Sequence, residues 1–120
     1  MDDSILDNIK KLLGLDSSDD SFDTDIVILI NNALSTLYQI GVGPDTGFMI
    51  SDNKTTWKEY IGDEQDWNRF NSIVTYIYLK VKMIFDPPSS SSVADSFKSS
   101  ISELEFRLGS EAERKPIGGA

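Results

Sequence analysis

The chain has 120 residues, no cysteine, no histidine and a net charge of −9. That length suits a single domain. The missing thiols exclude a disulfide framework, a thiol nucleophile and a thiolate metal site, and the missing imidazoles remove the commonest general base and transition-metal ligand. Eleven Lys and Arg against twenty acids are too few for tight nucleic-acid binding, which needs clustered cations to neutralise phosphates. An acidic surface past which DNA moves without sticking fits these numbers. Charge is unevenly spread: the first 25 residues hold eight Asp against Lys10 and Lys11, whereas residues 65–85 carry Arg69, Lys80 and Lys82 against Asp66. The opening MDDSILD has acid where a signal peptide carries base, and no apolar run reaches membrane-spanning length. A soluble, intracellular chain with no membrane partner is expected.

Asp3 or Ser4 can cap a first short helix bearing Ile5, Leu6, Ile9, Leu12 and Leu13, with Gly14 closing it. At about ten residues it must dock on something to persist. Asp16 to Asp25, DSSDDSFDTD, invites a calcium-loop reading. An EF-hand loop wants Gly at its sharp turn and Glu at its last position, and neither falls in place. A solvated connector whose acids complement the next helix dipole, with Asp23 or Thr24 as cap, is expected instead.

The second helix is expected from Asp25 to Ile40, with Gly41 past its end. Ile26, Ile30, Ala33, Leu37 and Ile40 form its stripe, Val27, Leu34 and Tyr38 widen it, and Asn31, Asn32, Ser35 and Thr36 take the wet side. The following loop has turn chemistry at Gly43-Pro44-Asp45 and Gly47. Phe48, Met49 and Ile50 within it read as a tucked plug, or else as a short exposed arm that pairs with a neighbouring chain. Thr55 or Thr56 caps a short turn, WKEYIGD, with Trp57 and Tyr60 facing the core.

Trp67 to Pro88 is the longest apolar element. Trp67, Phe70, Val74, Ile77, Val81 and Ile84 step by three and four, and Ile73, Tyr76, Tyr78, Leu79, Met83 and Phe85 widen the stripe until little of the circumference stays polar. The alternation near Leu79, Val81, Met83 and Phe85 also suits a strand. Length decides for helix, since roughly twenty residues without Gly or Pro is long for a strand. Such a rod, about 30 Å long, should be buried by other helices or neighbouring subunits, with Trp57 and Trp67 read as core residues, or else as interface anchors. Asp86, Pro87 and Pro88 form a hard corner, because proline lacks the amide proton and pushes its predecessor out of helical geometry. Ser89 to Ser92 offer caps for a last helix over Val93 to Leu108, striped by Ala94, Phe97, Ile101, Leu104 and Leu108. Phe106 falls off that stripe and is a candidate contact with another subunit. Residues 109–120 lack periodicity and read as a flexible tail behind a single domain over 1–108.

Catalysis has little to stand on. Glu103 and Glu105 face different sides of a helix, Asp63, Glu64 and Asp66 sit where a helix start attracts acids, and no nucleophile elbow, Walker loop or dinucleotide fingerprint occurs. No catalytic, metal or cofactor residue is assigned, and the chain reads as a non-enzyme.

TWKEYIGD, then YIYLKVKMIFDPPSSS, then ISELEFRL, in that order and spacing, resemble the head–tail connector (adaptor) proteins of tailed bacteriophages. The likeness covers about half the chain, and the upstream helix pair is compatible with it. The resemblance implies an all-α small helical bundle with a long central helix, a proline corner, and a C-terminal helix and tail. It also implies a structural virion subunit, assembled in the host cytoplasm, that forms a ring, usually twelve-fold, at the head–tail junction. Its partners would be the portal protein, a head-closure or tail-completion protein, copies of itself, and passing double-stranded DNA without sequence-specific binding. On that reading the candidate subunit or portal contacts are Phe48, Met49, Ile50, Phe106, Arg107, Arg114, Lys115 and Ile117, with Glu111 to Ala120 an arm ordered on binding. A helical interaction module or small regulator unrelated to phage assembly is the alternative.

Overall fold

A computed structural model describes residues 3–114. Among the described residues the chain is all-α, with five helices: α1 Ile5–Leu12, α2 Asp23–Gln39, α3 Trp57–Ile61, α4 Trp67–Phe85 and α5 Ser91–Arg114. The long α4 is the central element. α2 and α5 each pack along it, and α1 lies against both α2 and α4. One apolar cluster runs through the whole arrangement, from Ile5, Leu6 and Ile9 through Ile26, Ile30 and Leu34 to Ile73, Tyr76, Ile77 and Leu108.

Local chemistry sets the helix ends. Ser4 caps α1 by accepting from the Asp7 N–H, and Thr56 caps α3 in a reciprocal capping box with Glu59. The two starts also satisfy each other: the Ile5 N–H donates to the Thr55 carbonyl (3.0 Å) and the Trp57 N–H to the Asp3 carbonyl (3.1 Å). Two amides that a helix start leaves unpaired thus join segments some fifty residues apart in sequence. The Trp57 indole N–H then donates to Asn8 Oδ1 at 3.0 Å.

α1 and α2 end alike. Gly14 and Gly41 have φ of 83° and 96°, which only glycine adopts without strain. Their amides bond back to Lys11 and Tyr38, and the amides of Leu15 and Val42 bond back to Lys10 and Leu37, so the last carbonyls of each helix find partners.

The stripe of α4 is rotated from the expected one. Ile73, Tyr76, Ile77, Leu79 and Val81 are buried, Phe70 and Val74 are half-buried, and Trp67 and Ile84 are exposed. Trp67 is 61 % exposed, so the expectation of a core residue there is corrected. It occupies the first helical position of α4, next to the Asp66 cap, and turns toward solvent. Its ring meets Phe70 edge to face (5.8 Å between centroids), and Phe70 in turn meets buried Trp57 (5.9 Å). Ile84 lies in the last turn before the corner and likewise turns toward solvent.

α5 starts two residues earlier than expected and runs six residues past Leu108. Gly109 does not stop it. Without a side chain there, the helix lies close to Ile40 at the end of α2, and Ala112 lies against Gly41. Leu104, Leu108 and Ala112 are its buried residues, so its second half anchors it.

The Asp16–Asp25 connector is more than a solvated linker. It folds round Lys10, which is 1 % exposed. The ammonium donates to the carbonyls of Ser17 (3.1 Å) and Asp19 (2.7 Å) and pairs with Asp23 Oδ1 at 2.8 Å. Asp23 therefore lies inside the first turn of α2 rather than capping it; the cap position is Phe22, with no side-chain bond. Asp16 accepts from the amide and hydroxyl of Ser18, and Asp19 is held by the hydroxyl and then the amide of Ser21, which keeps both carboxyls below the usual carboxylate range.

Candidate subunit-contact surfaces

In an all-helical chain with no assigned active-site residues, the outward surfaces are the functional candidates. The Phe48–Ile50 segment divides by alternation. Ile50 is buried, its amide donating to Asn31 Oδ1 (2.8 Å) while its carbonyl accepts from Asn31 Nδ2 (2.9 Å). The side-chain amide of Asn31 thus replaces the neighbouring strand that an extended segment normally needs. Asn31 was expected on the wet side of α2; it faces this clamp instead. Phe48 is half-buried against the ring of Tyr60, 4.9 Å between centroids. Met49 points outward and is 72 % exposed. The segment is therefore tucked in at Phe48 and Ile50, with Met49 between them turned outward.

Beside it runs an open groove of about 490 Å³ between α2 and this segment, lined by Ser35, Tyr38, Phe48 and Met49 among others. Tyr38, expected to widen the buried stripe, is 47 % exposed here.

On α5, Phe106 is 77 % exposed. It lies two residues from each of the buried pair Leu104 and Leu108, so at about 100° per residue it faces away from the core. Arg107 reaches Ser72 Oγ at 3.3 Å and Glu103 at 3.7 Å. With Arg114, Arg69 and Glu111 it lines a polar groove of about 770 Å³ between the start of α4 and the end of α5. Arg69 is buried, with its Nε 3.9 Å from both Glu64 and Glu111. Of the candidate contacts, Arg107 and Arg114 are therefore brought together, while Lys115 and Ile117 lie outside the described residues.

The corner is built by Asp86, Pro87 and Pro88. Asp86 leaves helical geometry (φ −150°, ψ 69°) and pairs with Lys82 at 2.8 Å. Four residues on, Ser90 accepts from the Val93 amide at 3.4 Å and restarts the chain as α5. Phe85 meets Phe22 of the connector edge to face, 5.4 Å between centroids.

The Tyr76 hydroxyl donates to Glu105 Oε2 at 2.6 Å, and burial followed by that bond pushes the phenol well above its ordinary range. Burial alone does the same to Tyr60. Among the described residues no group of acids is arranged to hold a metal ion, and no helix is long and apolar enough to cross a membrane.

Comparison with curated proteins and with solved structures returned no match. Comparison with family models matched the Phage connector protein family over residues 5–115, which takes in all five helices but for the cap of the first. A match of that span assigns a structural connector role. The chain belongs to the phage connector protein family.

Proposed function

We propose that the protein is one subunit of a ring, twelve-fold as the resemblance to head–tail connectors implies, seated between the portal and the head-closure or tail-completion protein and extending the channel through which DNA passes. The observation that carries this reading is a pair of outward apolar features, Phe106 on α5 and Met49 with Tyr38 beside α2. Single exposed apolar residues are ordinary on a monomer, but Tyr38 and Met49 line one groove together, a place that a neighbouring subunit would cover. The net charge of −9 suits a conduit that must not retain DNA. The protein has no catalytic part in this role.

The test is co-sedimentation of the purified protein with rings of the matching portal protein. Binding in a fixed ratio to portal subunits is expected. Failure to bind portal rings or DNA-filled heads at any salt concentration would remove the reading.

A further inference from the structure

On the ring reading just given, we infer that successive copies are joined by Phe106 of one subunit seated in the groove that Tyr38, Phe48 and Met49 form on the next. The groove's chemistry is unusual for this chain. Residues 26–44 carry no charged side chain, although 26 % of all residues are charged. The solvent side of α2 is Asn32, Ser35 and Tyr38 where lysine and glutamate would ordinarily stand. Depletion of charge with exposed Tyr and Met marks the centre of a protein interface rather than a free surface.

Phe106 has matching surroundings. Its neighbours on the outer side of α5 are Ser102, Ser110 and the Glu103–Arg107 pair, whose charges offset one another at 3.7 Å, with Glu113 the nearest unbalanced charge, two turns on. Two subunits of −9 repel, so they meet most readily where both present little net charge. Ring and groove satisfy that condition, whereas docking through the Asp16–Asp25 connector would set carboxylates toward an already acidic partner.

Geometry excludes Phe106 of the same chain, and the ring reading makes a second copy the occupant. Phe106 and the groove lie on the outer sides of α5 and α2, and both helices turn their inner sides to one shared core. Phe106 therefore cannot fill the groove of its own chain. Two different surfaces in contact make a head-to-tail interface, which propagates from copy to copy and closes into a ring when the rotation permits. A self-matching patch would stop at a dimer. One aromatic ring buries about 150–250 Å² of the roughly 800 Å² per partner in a standard interface, so Phe106 is the anchor and the flanking helix faces supply the remaining area.

The absence of native cysteine makes the test clean. The double variant Met49→Cys/Phe106→Cys, oxidised at high salt and again on portal rings, should give a ladder of cross-linked oligomers. Each single variant alone should give none, and an equimolar mixture of the two single variants should stop at dimers. Phe106→Glu, at a site exposed enough to leave the thermal midpoint unchanged, should lose higher oligomers in sedimentation velocity. Dimers from either single variant alone, or Phe106→Glu rings that assemble normally on portals, would overturn this contact and leave the connector reading standing. A wild-type protein that binds no portal removes both.

Discussion

Lys10 shows how one side chain organises a segment that looks unstructured in sequence. Its three N–H donors meet three oxygens, which is full satisfaction for an ammonium. Lys10→Met would keep the apolar stem and remove the charge, leaving two carbonyls and Asp23 without that partner. A loss of about 1–3 kcal/mol is expected in urea denaturation, read alongside faster proteolysis between residues 16 and 23. Unchanged stability would mean that the connector holds its shape without the ammonium. The two buried phenols give a pH signature. Their folded-state values are raised, so their contribution is complete below the ordinary phenol value of 10.0 and is lost as pH climbs past it, where only the unfolded chain ionises. Alkaline titration followed by near-ultraviolet absorbance should show Tyr60 and Tyr76 ionising only as far-ultraviolet helicity disappears.

At the scale of elements, the corner is the decisive feature. α4 spans roughly 28 Å, and nothing in the residues before Asp86 would end it there. The two prolines do so by withholding amide protons and by excluding helical geometry at Asp86. With Pro87→Ala/Pro88→Ala the helix is expected to run on, carrying α5 away from α4 and separating Tyr76 from Glu105. Far-ultraviolet helicity should hold or rise while portal co-sedimentation falls several-fold. Normal docking by that variant would show that the corner has no special part in assembly.

For the whole molecule, charge and association oppose each other. Closing a ring gathers many copies of −9, and the repulsion is only partly screened at physiological ionic strength, where the Debye length is about 8 Å. The isolated protein is therefore expected to sediment mainly as a monomer at low salt and to associate as salt rises, with portal docking supplying the missing association energy. A stable ring at low salt without portal would contradict this account.

Much of the fold was legible in the residues. Three-and-four spacing located the helices, serine, threonine and glycine marked several ends, and Pro87-Pro88 placed the corner, because these effects act within a few residues of backbone. The family was also legible, through ordered motifs around TWKEYIGD and FDPP. What periodicity could not supply was the azimuth of a stripe that is apolar on nearly every side: only packing against α2 and α5 decided that Ile73 and Tyr76 lie inside and Trp67 and Ile84 outside. The burial of Lys10, the Asn31 clamp on Ile50 and the passage of α5 through Gly109 likewise depend on partners distant in sequence or on another helix. Local sequence sets which backbone conformations are cheap, but the side of each helix that meets water is chosen by neighbours that come together only in the folded chain.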